Sequence, residues 1–272
     1  MSRIILLFAA AILAAPACRS HLPAGVLIGT GDESGRFVAH YGVASPVFQD
    51  FRSGLVANRF LDTIAMRLND SLRIPRDIVL ETAHCGEPNA KYDYGRRRVT
   101  LCYELFQSLS DRFANTNGGQ YLVTGTVVFA LMHELGHALV DVLELPITGK
   151  EEDAVDQLAT ILLLQQGTPG DSLAFGAVGW FVTKARMGIP DDLAFADDHG
   201  LDRQRVYNII CWIYARDPER YPEIVTDGWL PEHRRDRCPS EFRRLADSWR
   251  RILAPYRRLA AEAPPDSRGN AQ

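Results

Sequence analysis

Apolar residues recur at helical spacing along most of the chain, and they alternate with polar residues only in short segments of its first half. Recurrence every three or four positions over 46–72 predicts one helix that ends before Pro75. Strands are predicted over 36–43 and 77–83, with a hairpin over 89–94 and 97–103. Further helices are predicted over 104–113, 173–187, 204–216 and 239–256. The pattern predicts an α+β protein, with a small N-terminal sheet and its helices before a mainly helical C-terminal part.

The long apolar segment 121–143 carries two histidines and a glutamate close together, His133, Glu134 and His137. On a helix, two histidines four positions apart lie on one face, because four residues are just over one turn. Both imidazoles can therefore bind one metal ion, and the Glu134 carboxylate borders the same site. This is the H-E-x-x-H arrangement of zinc hydrolases, in which the glutamate takes a proton from zinc-activated water. A metal also satisfies polar groups that are costly to bury alone, so we expect one Zn²⁺ per chain.

A third metal ligand is predicted shortly after this helix. Thr148, followed three residues later by Glu151, is typical of a capping box that starts a second helix. Glu151 would then turn back to the helix start, whereas Glu152 lies about 100° away on the face of Asp156. We therefore predict Glu152 as the third ligand. Asp156 would accept a hydrogen bond from the free ring nitrogen of a ligating histidine and fix its tautomer.

Other acidic residues remain alternatives for this role. Glu151 competes directly with Glu152, and the whole acidic turn could instead be a solvated helix start that favours the helix dipole. Asp141 and Glu144 are weaker candidates, since Asp141 lies two turns from His133, about 12 Å along the axis. Position 143 is leucine, where the metzincin pattern has a third histidine. The predicted site is thus of the glutamate-zincin type.

Composition limits the class of protein. The chain has 272 residues, 46% of them hydrophobic, and a formal net charge of -4. These values indicate a soluble globular protein of one domain, or of two lobes around a cleft. The mildly acidic balance and the lack of a basic block argue against a nucleic-acid binder.

Residues 1–17 have the pattern of a signal peptide. Arg3 precedes an apolar run over 4–14, and Ala-Pro-Ala at 15–17 forms a small-residue cleavage site. We expect an exported protein, periplasmic or secreted, whose only membrane attachment would be a lipid on Cys18, the first residue after cleavage. The expected segments are a lead-in over 18–36, a domain over 37–256 with a cleft between 37–143 and 144–256, and a disordered tail over 257–272.

Five cysteines fit an exported protein with two disulfides. Sequence proximity favours the pairs Cys85–Cys102 and Cys211–Cys238, although four cysteines allow three connectivities. A cysteine zinc site is disfavoured because the chain has no C-x-x-C pair.

Two consecutive segments carry a resemblance to a known family. H-E-L-G-H-A-L-V-D-V-L followed by L-P-I-T-G-K-E-E-D-A-V-D-Q-L-A resembles the exported bacterial metallopeptidases that are catalogued as a domain of unknown function. The segment V-T-L-C-Y-E-L and the pair Asp198-His199 extend the resemblance over about 37–254. It implies a zinc-peptidase-like, zincin-like fold with His133, His137 and a downstream acidic ligand. Glu152-x-x-x-Asp156 is also similar to the ligand and its orienting partner in thermolysin-like enzymes, although the connection between the two helices is shorter here.

We therefore expect a zinc metalloendopeptidase that acts on peptide or protein substrates with Glu134 as general base. His199 is the first candidate to stabilise the oxyanion, ahead of Tyr214 and His233. The hairpin is the candidate edge that pairs with an extended substrate. Two other classes stay open: a non-catalytic, metal-stabilised binding module of the cell envelope, and a zinc hydrolase that acts on a non-peptide bond.

Overall fold

The structure, a computed structural model, describes residues 34–187 and 197–258. The predicted signal peptide and Cys18 lie outside the described residues, as do most of the lead-in and of the tail. Gly35 forms a β-bridge with Ile74, and Arg257 forms one with Leu72. These two bridges tie residues just outside the predicted range 37–256 to the segment 72–74.

Among the described residues, four strands form a mixed sheet in the order β1-β2-β4-β3. β1 pairs with β2 and β2 with β4 in parallel, while β3 and β4 are antiparallel. The predicted hairpin is thus confirmed, and its turn contains Arg97 in the left-handed region, with φ of 49°. The strands are β1 (Phe37–Tyr41), β2 (Ile78–Ala83), β3 (Ala90–Asp93) and β4 (Arg98–Cys102).

Helices pack against this sheet and make up the C-terminal part, so the predicted α+β class is confirmed. Two 3₁₀ turns, Pro46–Phe48 and Ala254–Tyr256, precede the first and follow the last of these helices. The helices are α1 (Gln49–Ala57), α2 (Phe60–Ser71), α3 (Tyr103–Phe113), α4 (Gly119–Val142), α5 (Glu151–Leu164), α6 (Thr168–Met187), α7 (Asp202–Arg216), α8 (Glu223–Thr226), α9 (Glu232–Arg235) and α10 (Cys238–Leu253).

The single helix predicted over 46–72 is wrong, because the chain breaks between α1 and α2. Arg59 adopts the left-handed conformation at this break, with φ of 51°. In one continuous helix, Phe60 would lie about 180° around the axis from Phe51, since nine residues advance the helix by two and a half turns. Both phenylalanines are buried in the structure. The break lets each helix turn its own apolar face to the core.

The start predicted for α6 is also wrong, by five residues. The helix begins at Thr168 rather than at Leu173, so Pro169 lies in its first turn. Proline is tolerated there because the first amide groups of a helix have no intrahelical acceptor.

α4 is the central helix of the fold. It is long and apolar enough to cross a membrane by length and composition alone, but 89% of the residues in its most apolar window are buried inside the protein. It packs against α3, α5 and α6 and against strands β3 and β4. The edge strand β3 therefore runs beside the helix that carries His133, Glu134 and His137.

Both predicted disulfides are confirmed. Cys85–Cys102 joins the segment after β2 to the end of β4, and Cys211–Cys238 joins α7 to the start of α10.

Candidate metal centre

Helix α5 packs closely on the part of α4 that carries the histidines. At Gly136 an added Cβ would lie 2.7 Å from the Cβ of Val155, so only glycine fits this contact without a shift. The close approach lets Glu152, in the first turn of α5, reach the histidines of α4.

Three imidazoles converge on the Glu152 carboxylate. Its Oε2 lies 3.0 Å from His133 Nε2 and 3.0 Å from His199 Nε2, and its Oε1 lies 3.3 Å from His137 Nε2. His199 stands on the loop before α7, so residues distant in the chain meet at this carboxylate. The four side chains define what we call the candidate metal centre.

The other ring nitrogen of each histidine contacts a carboxylate of its own. His133 Nδ1 is 2.8 Å from Asp156 Oδ1, and His137 Nδ1 is 2.6 Å from Glu151 Oε1. His199 Nδ1 is 3.0 Å from Asp197 Oδ1. Because a carboxylate accepts a hydrogen bond, each of these contacts favours the tautomer with its proton on Nδ1. The Nε2 lone pairs then all face Glu152, as in carboxylate–histidine–metal arrangements.

The donor set fits a metal ion. Lone pairs of neutral imidazoles repel a carboxylate at 3.0 Å unless a cation lies between them or the rings take up protons. Glu152 Oε2 is buried and, among the described residues, has no hydrogen-bond partner of acceptable geometry. Two donors bound to one tetrahedral zinc ion lie about 3.3 Å apart, given bonds of about 2.0–2.1 Å. The separations of 3.0–3.3 Å around Glu152 agree with that spacing.

The electrostatics of the centre follow from burial and from these contacts. Burial works to lower the pKa of His133, but the hydrogen bond with Asp156 and the close contact with Glu152 raise it to about 9. For Glu152, burial works to raise the pKa, but the close contacts with the three histidine rings outweigh this effect and lower it. Glu152 is therefore a carboxylate in the form that binds metal.

Glu134 has the opposite shift. Desolvation by burial raises the pKa of its carboxyl group, and the charges of His133 and His137 offset only part of this effect. The backbone N–H of Tyr92 on β3 lies close enough to the carboxylate to lower its pKa slightly. Glu134 thus lies between the histidines and the edge strand, with a pKa moved towards neutrality, which suits a group that accepts and returns a proton.

A comparison with models of protein families gives a match. The model of the family described as "Putative metallopeptidase" matches residues 42–253. The chain belongs to this metallopeptidase family. No curated protein and no solved structure matches the chain significantly. The resemblance stated from the two motifs is confirmed, and the range matched by the metallopeptidase family includes every residue of the candidate metal centre.

The other acidic residues that were considered as the third metal ligand have other contacts in this metallopeptidase, or lie on its surface. Asp141 accepts a hydrogen bond of 2.6 Å from the Tyr92 hydroxyl, and Glu144 is exposed. Glu151 contacts His137 and accepts a hydrogen bond of 3.2 Å from Tyr94. The expected capping box is wrong, since Lys150 is the N-cap residue of α5 and no side chain caps this helix.

Sequence reasoning missed three residues that support the histidines. Asp197, which contacts His199, was given no role, and Glu151, which contacts His137, was predicted to turn back to the start of its helix. Sequence reasoning also missed Arg205, whose Nε and Nη2 each lie 2.7 Å from an oxygen of Asp156. The Arg205 guanidinium lies 4.0 Å above the ring of Phe181. Arg205 follows Asp156 by 49 positions, and no local sequence pattern connects the two residues. Their pairing can therefore be seen only in the folded structure.

His199 lies in the centre itself, whereas the other two oxyanion candidates do not. Ligand atoms of His133, Glu152 and His199 all lie within 4.8 Å of one another. Tyr214 packs against the core on α7, and His233 is exposed on α9. In the described part of the chain, neither forms a polar contact with the candidate metal centre.

Proposed function

We propose that this chain is an exported, zinc-dependent metalloendopeptidase with a zincin-like fold that cleaves peptide or protein substrates. The observation that carries this proposal is the convergence of three Nε2 atoms on Glu152, with Glu134 beside them on α4. Membership of a metallopeptidase family supports the class of reaction. The cleft between 37–143 and 144–256 is the proposed place for the substrate.

His133, His137 and Glu152 would hold the ion. Two imidazole nitrogens and one carboxylate oxygen are the ligand set of many catalytic zinc sites, which leave one position open. Zinc bound in such a site polarises the scissile carbonyl and makes water a stronger acid. Asp156 and Glu151 would fix the orientation of the two ligand rings through their Nδ1 atoms.

Glu134 would move the proton. Its carboxylate accepts a proton from the attacking water and then delivers that proton to the leaving amine. Burial supports this role because it raises the pKa of Glu134.

His199 would stabilise the charge that develops on the carbonyl oxygen. Its Nδ1 contact with Asp197 turns Nε2 towards Glu152, where the reaction would take place. Nε2 can donate a hydrogen bond when the ring is protonated, and Glu152 and Asp197 favour that form because they raise the pKa of His199. A donor aimed at the developing oxyanion is among the largest contributions to such catalysis.

The edge strand β3 would bind the extended substrate. In an antiparallel pair of strands, hydrogen-bonded and non-hydrogen-bonded residue pairs alternate. The Cys102 N–H donates to the Asn89 carbonyl, so Tyr92 and Val99 form a non-hydrogen-bonded pair. The Tyr92 N–H therefore points away from β4 and towards Glu134, and the outer edge of β3 faces the proposed reaction site. A peptide that adds to this edge brings its carbonyl groups towards Glu134.

Export rests on the sequence pattern of 1–17 and agrees with the two disulfides, since such bonds persist in oxidising compartments. The proposed location is the periplasm or the outside of the cell, and a lipid on Cys18 would be the only attachment to a membrane.

Metal content and peptide-library cleavage, measured on wild type and two variants, test the proposal. We expect one zinc per chain in the wild type. Glu134→Gln should keep the zinc and lose cleavage by about 10²–10⁴-fold, the range for a lost general base. Glu152→Ala should bind zinc more weakly. Glu144→Gln, a change at an exposed glutamate near the same helix, is the matched control and should alter neither quantity.

The alternatives give different results. Zinc with hydrolysis of other bonds, but not of peptides, would indicate a non-peptide hydrolase. Zinc without any turnover would indicate the binding module. A wild-type protein that takes up no zinc would contradict the proposal as a whole.

A further inference from the structure

A cavity lies in the helical part, and none of the four residues of the candidate metal centre lines it. Its volume is about 450 Å³, and its walls come mainly from α2, α4, α5 and α10. Protein interiors are packed as densely as organic crystals and contain few voids larger than a water molecule. A cavity of this size lies instead within the range of about 300–1,000 Å³ that is typical of ligand pockets.

The inner wall of this cavity is apolar. The side chains that form it are aliphatic or aromatic and are themselves buried, including Ile64, Val128, Met132, Leu158, Ile161 and Trp249. Apolar cavities of this kind exclude water and take up apolar molecules. Because the lining side chains are buried, an occupant must be slender enough to enter, which a folded partner protein is not.

The charged residues around the same cavity are mostly basic. Arg67, Arg250 and Arg257 line it together with one acidic residue, Asp247, which gives a local charge of 3 - 1 = +2. Arg250 contacts Asp247 at 2.5 Å and neutralises it. The chain as a whole has a formal net charge of -4, so this local excess of positive charge runs against the overall balance. This positive charge favours an anionic group of a ligand at the basic side of the cavity.

We propose that this cavity binds a single-chain anionic amphiphile, namely a long-chain fatty acid. The alkyl chain lies among the buried side chains, and the carboxylate lies at Arg67 and Arg257. Guanidinium groups bind carboxylates strongly because their fork of N–H donors matches the two oxygens. An alcohol of equal chain length lacks the negative charge, and free phosphate lacks the alkyl chain.

The cavity shares its walls with the helices of the candidate metal centre. Met132 directly precedes His133 on α4, and Leu158 and Ile161 belong to α5, which also carries Glu152. A bound fatty acid therefore packs against both helices that bring the metal-binding residues together. Binding itself does not depend on the proposed peptidase activity, and it should persist in Glu134→Gln.

Palmitate binding to the purified full chain tests the proposal. We expect one saturable site per chain, and at least tenfold weaker binding of 1-hexadecanol, which has the same chain without the charge. A nitroxide-labelled stearate should quench the fluorescence of Trp249, which lies buried in the cavity wall. Trp249→Phe should remove most of this quenching, while palmitate still binds.

Two variants change the cavity in different ways. Arg67→Glu reverses a charge and should weaken palmitate binding about tenfold or more. Leu68→Trp places a large ring at a half-buried position of the wall and should also weaken it. Arg244→Glu on α10, an exposed residue outside the cavity lining, is the charge-matched control and should bind as the wild type does. Thermal melting of each variant shows that it is folded.

No saturable palmitate binding by the full chain would overturn the proposal, including the case in which another segment of the chain fills the cavity. Binding that is equal for palmitate and 1-hexadecanol, or equal in the wild type, Arg67→Glu and Leu68→Trp, would overturn it as well.

Discussion

His199 differs from the other two histidines in its support. It stands on a loop and its side chain is 50% exposed, whereas that of His133 is 6% exposed on α4. If His199 donates to the oxyanion, His199→Ala should lower kcat by about 10²–10³-fold, as for one lost oxyanion donor. KM and zinc affinity should change little. Chelator competition and steady-state kinetics measure these quantities, and a large loss of zinc affinity would show that His199 is a ligand instead.

Arg205 is predicted to act on the metal through Asp156. Both of its hydrogen bonds end on that carboxylate, which is buried and in turn contacts His133. Arg205→Ala removes the cation that pairs with a buried carboxylate, and losing one partner of a buried ion pair typically costs about 3–5 kcal/mol of unfolding free energy. Zinc affinity should fall about 10–100-fold, the usual effect of losing a partner of a metal-binding residue.

Arg205→Lys should recover part of both losses, because it restores the charge but not the pair of parallel hydrogen bonds. Arg203→Ala, on the exposed side of the same helix, is the control. Urea unfolding and zinc titration give the two quantities. Unchanged zinc affinity in a folded Arg205→Ala would limit this residue to a role in stability.

At the scale of single residues, the sequence predicted a site with His133, His137 and Glu152, whose side chains lie together in the structure, but it did not predict the contacts around them. The spacing of His133 and His137 follows from helix geometry, so local pattern was sufficient. Glu152 was chosen with the help of a capping box that does not form. The direction in which the Glu151 side chain points depends on how α4 and α5 pack. That packing does not produce a periodic pattern in the sequence from which it could be predicted.

Among the elements, the crossing of α4 and α5 depends on Gly136. An alanine there would bring its Cβ to 2.7 Å from the Cβ of Val155, which real side chains do not tolerate. Gly136→Ala should therefore push α5 away and cost about 1–3 kcal/mol, as other overpacked cores do. Since α5 carries Glu152, zinc affinity should fall with stability. Gly149→Ala, in open space within the preceding loop, is the control for the loss of a glycine.

Urea unfolding and zinc titration of both glycine variants test this coupling. A Gly136→Ala protein with wild-type zinc affinity would mean that α5 can move without changing the position of Glu152.

Element prediction succeeded where one physical signal dominated. The hairpin over 90–102 has strict alternation and a turn, and α4 has a long apolar run. It failed at the boundary between α1 and α2, where both sides have helical periodicity. The break is needed because Phe51 and Phe60 are both buried, although they would lie on opposite faces of one continuous helix. The sheet and the helices against which they pack come from other parts of the chain.

On the scale of the whole molecule, the candidate metal centre gathers acidic residues from several elements. Glu134, Glu151, Glu152 and Asp156 come from α4 and α5, and Asp197 comes from the loop before α7. Sequence order predicted an N-terminal sheet and a helical C-terminal part but could not show that 197–205 folds back onto α4. That return is set by tertiary packing of α7 against α5 and α6.

Removal of the metal should therefore loosen the contact between these parts of the chain. Without a cation, the clustered carboxylates repel one another, and the Nε2 atoms lose their common partner. A ligand that binds only the folded state stabilises it by about 4 kcal/mol when present at a thousand times its Kd. Since each kcal/mol shifts Tm by roughly 2–4 °C in a chain of this size, chelation should lower Tm measurably and zinc should restore it. Glu134→Gln should show the same shift and Glu152→Ala a smaller one. An equal Tm with and without zinc in the wild type would mean that the ion does not join these elements.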